Sequence, residues 1–346
     1  MSPRLGVVLF NLGGPDNLDA VQPFLRNLFS DKAIIRAPFL IRWPLARLIS
    51  SRRAPYAQNI YRSIGGGSPI VPETARQARA LEAALAAQGV TAKAVIAMRY
   101  WHPFADEAVA ELKAWAPDRV VLLPLYPQFS TTTTQSSLDD WARAAAKAGL
   151  TAPATAVCCY PTHPDFIAAY GDLVSKALAE VPSGATPRIL YSAHGLPERI
   201  VQAGDPYPMQ VEAAAKAIAA ASGSEGLEWR VTYQSRVGPL KWIGPDTDTE
   251  IVAAAREKRV PVVVPLSFVS EHSETLYELD QIYRAAALEA GAPAYIRVPA
   301  VGTHPGFIAA LADLVRQSPG RGVLAPDASW TGCGGAAGCP CAKAAA

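Results

Sequence analysis

The stretch YPTHPDFIAAYGDLV (160–174) returns near the other end of the chain as VGTHPGFIAALADLV (301–315). His304 stands 141 residues after His163, and Pro265 in VPLSF (264–268) stands the same 141 residues after Pro124 in LPLYP (123–127). One offset kept by two separated segments indicates an internal duplication. LFNLGGP (9–15) and YSAHGLP (191–197) also resemble each other, at a different offset.

Apolar, β-rich runs surround these segments: 5–13, 92–100, 118–126, 154–160, 187–195, 228–236 and 260–268. Ala-rich helical patterns lie between them, at 73–88, 104–116, 136–148, 208–222 and 274–290. Alternating β and α units with near-continuously apolar strands predict parallel sheets covered on both faces. The fold expected is α/β: two similar Rossmann-like, doubly wound halves, residues 1–175 and 176–320, around a central cleft. A short tail, 321–346, follows. Ligands of open α/β sheets bind at the carboxyl ends of the strands.

Composition excludes several classes. Half of the 346 residues are apolar and the net charge is only +2, so nothing suggests a nucleic-acid partner. No run approaches the roughly 18 apolar residues of a membrane-spanning helix. The start, MSPRLGVVLFNLGGP, lacks the pattern of a secretory signal. Five cysteines, an odd number in a large chain, read as reduced cytoplasmic thiols and hence as ligands rather than disulfides.

Charge is unevenly spread. No acid occurs between Asp31 and Glu73, while Lys32, Arg36, Arg42, Arg47, Arg52, Arg53 and Arg62 interleave with Ile34, Ile35, Phe39, Leu40, Ile41, Trp43 and Leu45. Basic residues mixed with large apolar ones over 34–53 make either a membrane-facing patch or a helix with its apolar stripe on the core.

The residues that carry chemistry sit at predicted strand ends. In SAHGLPERIVQAGDPYP (192–208), His194 follows a strand and could serve as a general base near neutral pH. In SFVSEHSETLYELD (267–280), His272 is followed by Glu274, and the spacing of Glu271, Glu274 and Glu278 places three carboxylates on one helix face. Like charges so arranged call for a cation or protons, which suits passage of a divalent metal. IAMRYWHP (96–103) and LYPQFSTTTTQSS (125–137) put Arg99, Tyr100, His102 and Tyr126 at further strand ends. The glycine-rich NLGGPDN and SIGGGSPI lack nucleotide-binding spacing. The tail TGCGGAAGCPCAKAAA is too poor in core residues to fold by burial, yet it carries Cys333, Cys339 and Cys341. Such a thiol cluster indicates a metal centre, iron–sulfur or zinc, whose fourth ligand would be Cys158 or Cys159.

Taken together, LFNLGGPDNLDAVQPFLRNLFSD, YRSIGGGSPI, RYWHP, YPQFSTTT, SAHGLPERIVQAGDPYP, YQSRVGPLKWIGPDTD and SFVSEHSETLYELD resemble the ferrochelatase family over essentially the whole chain. That resemblance implies a lyase that inserts Fe2+, as substrate, into protoporphyrin IX with release of two protons, giving protohaem. Coproporphyrin III insertion and a non-catalytic porphyrin- or haem-binding role are the alternatives.

The resemblance also assigns residues. His194, Glu274 and His272 would be catalytic. His194, Glu274 and Glu278 would form the path of the substrate iron. Arg99, Tyr100, Tyr126, Trp242, Phe268 and Leu12 would line the porphyrin site. Residues 34–53 would be a lip resting peripherally on the inner face of the membrane, on a cytoplasmic homodimer. A [2Fe–2S] cluster is implied for the tail. Animal-type members supply one ligand just before the Thr/Ser run, where this chain has Thr131, so Cys158 is expected beside Cys333, Cys339 and Cys341.

Overall fold

The structure, a computed structural model, describes residues 3–35, 37–236, 240–325, 339 and 341. Cys333, Arg36 and most of the tail 321–346 therefore lie outside the described residues. The strands are β1 Leu5–Asn11, β2 Ala92–Met98, β3 Arg119–Pro124, β4 Ala154–Val157, β5 Pro187–His194, β6 Trp229–Gln234, β7 Val260–Pro265, β8 Ile296–Arg297 and β9 Gly322–Leu324.

They form two sheets, ordered β2-β1-β3-β4-β9 and β6-β5-β7-β8, with every pairing parallel. The inner order is the same in both: first strand in the centre, second on one side, third and fourth on the other. The repeated order is the structural form of the duplication read from the sequence. Every residue of β1 and of β7 is buried, as strands covered on both faces must be.

The chain divides into two compact units, Met1–Cys158 with Leu311–Ala325, and Cys159–Ala310; Cys339 and Cys341 count with the second. A boundary after residue 175 would cut the helix Pro164–Ala179, which packs within the second unit against Tyr207–Ala221. The crossover helix thus belongs to the sheet it leads to rather than the one it leaves.

The duplicated segments both open helices, Pro164–Ala179 and Pro305–Gln317, each with proline at its first position, where a missing N–H costs nothing. The two copies meet: the Phe166 and Phe307 rings lie 6.0 Å apart. A Cβ at Gly306 would stand 3.1 Å from the Asp165 carbonyl, so that close approach requires glycine.

The basic segment forms the helix Phe39–Ser63, with Phe39, Leu40, Ile41 and Trp43 half-exposed or more and Leu40 84% exposed. Ala46, Ser50, Ala54 and Tyr61 form its buried face. In the first half of this helix the core therefore takes Ala46 and Ser50 and leaves Phe39, Leu40, Ile41 and Trp43 outside.

Segment 274–290 starts as a π-helix, Glu274–Tyr283, and continues as the α-helix Arg284–Glu289. The i→i+5 turn is rare and needs support. It is held from the side: Tyr295 Oη donates to the Leu279 carbonyl at 2.8 Å, and Arg297 grips Asp280 through Nε (2.8 Å) and Nη2 (2.7 Å).

Candidate active site

His194 is the last residue of β5 and pairs in register with Gln234, the last residue of β6. Both strands end there, which frees the side chains beyond. The His194 Nδ1 faces the Gly195 carbonyl at 2.6 Å, and its Nε2 faces Glu274 Oε1 at 3.5 Å. The other oxygen of that carboxylate, Oε2, lies 3.1 Å from His272 Nε2, while His272 Nδ1 faces the Ser270 carbonyl at 3.0 Å.

Neither a carbonyl nor a carboxylate has a proton to offer, so each ring in this setting is best satisfied with both nitrogens protonated. Burial works against charge on His194. The Glu274 carboxylate outweighs it, with help from the Gly195 carbonyl and Glu278, and lifts His194 to about 9. His272 is raised by the same balance. Burial likewise opposes the charged form of Glu274, and the two imidazoles overcome it, holding its carboxyl far below the usual range.

Glu278, one π-turn on, accepts hydrogen bonds from Ser235 Oγ (2.6 Å) and Gln234 Nε2 (3.0 Å). Burial and the neighbouring Glu274 charge nevertheless raise its carboxyl. The site thus holds two partly buried carboxylates of opposite tendency beside two imidazoles whose protonated forms are favoured, an arrangement that can exchange protons and accept a dication. The Phe268 ring lies 4.7 Å from His272, and the Trp242 ring 6.4 Å from His194. A Cβ at Gly195 would come within 3.2 Å of Trp242, so glycine after His194 lets the indole close over that strand end.

Glu271 departs from expectation. The π-helix begins at Glu274, and Glu271 turns to Arg297 Nη1 (2.6 Å) and the Ala300 N–H (3.0 Å) instead of sharing a helix face with Glu274 and Glu278. An arginine supplied by β8 claims it.

In the first unit, Arg99 and Tyr100 follow β2, and both bind Asp31. Its Oδ2 accepts from Arg99 Nη2 (2.8 Å), Tyr100 Oη (2.8 Å) and Ser136 Oγ (2.9 Å). Burial would raise the Asp31 carboxyl, but Arg99 and these donors hold it below the ordinary value. Burial and Asp31 push the Tyr100 phenol far up, so it remains a donor. Tyr100 is 1% exposed and packs with Phe24, Phe29 and Tyr61, while Leu12 lies partly buried against that cluster. Tyr126 packs partly buried on a second cluster, and its phenol too is raised by burial. Asp31, Gln234 and Ser235 carry much of this geometry and were not singled out by sequence reading. Asp31 was visible as the last acid before the basic stretch.

Cys158 and Cys159, consecutive residues just past β4, and Cys341 bring their sulfurs within 4.8 Å of one another, and Cys339 is buried. Thiols gathered this way suit a soft metal or an iron–sulfur centre.

A family model described as Ferrochelatase matches residues 4–319. The Ferrochelatase of Caulobacter vibrioides (strain NA1000 / CB15N) is 54% identical over 352 residues, covering 100% of this chain and 99% of its own. That of Phenylobacterium zucineum (strain HLK1) is 51% identical over 329 residues, covering 94% and 95%. Among solved structures, the sirohydrochlorin chelatase SirB of Bacillus subtilis subspecies spizizenii in complex with cobalt matches with a TM-score of 0.52 at 11% identity, covering 92% of this chain and 95% of that one, a likeness of fold alone.

Proposed function

The chain belongs to the ferrochelatase family, and on that premise we propose that it is a lyase inserting ferrous iron into protoporphyrin IX, with His194, Glu274 and His272 as the catalytic groups and Glu278 on the iron's path. The observation that carries this reading is the Glu274 carboxylate shared between His194 and His272, with Glu278 one π-turn away.

Two pyrrole N–H protons must leave for one Fe2+ to enter. With Glu274 as its partner, His194 holds a proton at neutral pH and is a poor base. A dication drawn to Glu274 and Glu278 repels that proton, which passes to solvent water, and returns the imidazole to its basic form, ready to take one from a pyrrole nitrogen. Arrival of the metal thereby creates the base that the porphyrin needs. Once His194 has passed the first proton on to solvent water, it can take the second. Arg99, Tyr100, Tyr126 and Leu12 of the first unit and Trp242 and Phe268 of the second are the groups proposed to meet the macrocycle.

The helix Phe39–Ser63 supplies the proposed membrane contact, with apolar side chains exposed beside Arg47, Arg52 and Arg53. Among the described residues no helix is long and apolar enough to cross a membrane. The association proposed is peripheral, at the inner face, by a cytoplasmic homodimer. For the tail, Cys158, Cys339 and Cys341, with Cys333, would hold a [2Fe–2S] cluster. Bound there, it would supply a covalent tie for a segment without a core of its own.

The test is an anaerobic assay with ferrous iron that offers protoporphyrin IX and coproporphyrin III separately and follows metalloporphyrin absorbance. Turnover of protoporphyrin IX is expected. Turnover of coproporphyrin III alone would move the substrate, and tight binding without turnover of either would remove the enzyme.

A further inference from the structure

We propose that Gln234 is a positioning residue that holds Glu278, and the first turn of the π-helix with it, in place to receive the metal, with its amide oxygen anchored by Ser192. The inference rests on the metal-inserting reading above and names a residue through which that site is assembled.

Gln234 is 1% exposed and ends β6 directly beside His194. Its Nε2 donates to Glu278 Oε2 at 3.0 Å and to the Glu274 carbonyl at 3.1 Å, so a single amide nitrogen spans both ends of the turn that carries the two carboxylates. Its Oε1 accepts from Ser192 Oγ at 2.7 Å. An ionised carboxylate can only accept, so an inverted amide would set oxygen against oxygen at Glu278 and leave its nitrogen facing Ser192. The carboxylate and the Glu274 carbonyl, which can only accept, settle which way the amide points, and Ser192 Oγ donates to the oxygen on its other side.

Ser192 is itself fixed. Its Oγ lies 2.9 Å from Thr247 Oγ1, which lies 2.9 Å from Thr232 Oγ1, and all three residues are fully buried. A file of hydroxyls thus runs from the core of the second sheet to the carboxylate, on strands rather than loops. Buried polar networks of this kind rigidify what they touch when every member is satisfied.

The choice of a neutral donor matters. Lysine or arginine at this position would grip Glu278 more strongly, but would neutralise it and repel an arriving dication. An amide orients the carboxylate and leaves its charge available for the metal.

The test compares Gln234→Leu, Ser192→Ala and the double variant with the wild type in two anaerobic measurements. One is calorimetric titration of ferrous iron without porphyrin. The other is steady-state turnover with iron and porphyrin varied in turn. Loss of a group supporting metal ligands costs about 10- to 100-fold. The expected result is a rise of that size in the iron dissociation constant and in KM for iron with Gln234→Leu, with KM for porphyrin and Tm near wild type. Ser192→Ala should shift the same quantities less, and add nothing in the Gln234→Leu background. Unchanged iron binding in Gln234→Leu overturns the proposal, as do effects of the two substitutions that simply add. If the wild type turns over no porphyrin while iron binding still weakens in Gln234→Leu, the positioning role stands and the metal-inserting reading falls.

Discussion

The Nε2 of His194 stands 3.5 Å from Oε1 of Glu274, joining the end of β5 to the first residue of the π-helix. The imidazole and the carboxylate that governs its charge are held by separate elements, so each can be altered alone.

Replacing His194 with Ala should lower turnover by about 10²- to 10⁴-fold, the usual worth of a positioned base, with porphyrin affinity retained. Absorbance assays of metal insertion and quenching of porphyrin fluorescence separate the two. Near-normal turnover would sink the base assignment.

In Glu274→Gln, the burial that opposes charge on His194 is left without its main counterweight. The imidazole should then titrate well below its wild-type value of about 9, visible as a shifted transition of its ring protons in NMR. A raised folded-state value means that the pair's contribution to stability is complete below the ordinary 6.5 and fades as pH rises through about 9. The Tm gap between variant and wild type should follow that course. A His194 titration unmoved by the substitution would show that Glu274 does not set its charge.

Asp31→Asn weakens three hydrogen bonds at once and removes the charge that faces Arg99. A loss of about 1–3 kcal/mol is expected for a buried group of this kind. The Asp31 carboxyl is held below its ordinary 3.8, so its contribution is present above that pH and disappears as pH falls through the lowered value. Denaturant unfolding of both proteins should show a gap near neutrality that closes in acid; equal stability at pH 7 would contradict the role given to the pair.

Leu40→Asp should leave folding within about 0.5 kcal/mol, because the side chain is already outside. Binding to anionic vesicles should fall by about tenfold or more, since burying one leucine contributes about 1.5–3 kcal/mol. Co-sedimentation that does not change would assign the exposed face to something other than lipid.

Cys158→Ala should abolish the visible absorption and the iron content expected of a [2Fe–2S] protein, and Cys159→Ala should preserve both. With three sulfurs within 4.8 Å, the reverse outcome would exchange the two ligands. Iron content unchanged in both variants would remove the pair from the cluster.

Much of the framework was legible because its signals are local. Runs such as VVLF in β1 and VPVVV in β7 are apolar throughout, as parallel strands must be, and the 141-residue repeat foretold equivalent strands β3 and β7. β8 and β9 escaped because two or three residues carry no period. Glu271 was misplaced because its spacing to Glu274 fits a helix face, whereas a partner 26 residues away, Arg297, decides where it points.

By itself, the sequence determined the α/β class, the duplication, the family and the placing of His194 at a strand end, all of which follow from local patterns and from their order along the chain. Only the tertiary structure decided that Asp31 meets Arg99 across 68 residues, that Gln234 meets Glu278 across 44, and that one carboxylate lies between two imidazoles. Those pairings depend on strand register and on where each strand stops. The partners lie on separate elements, and only the packing of those elements brings them together.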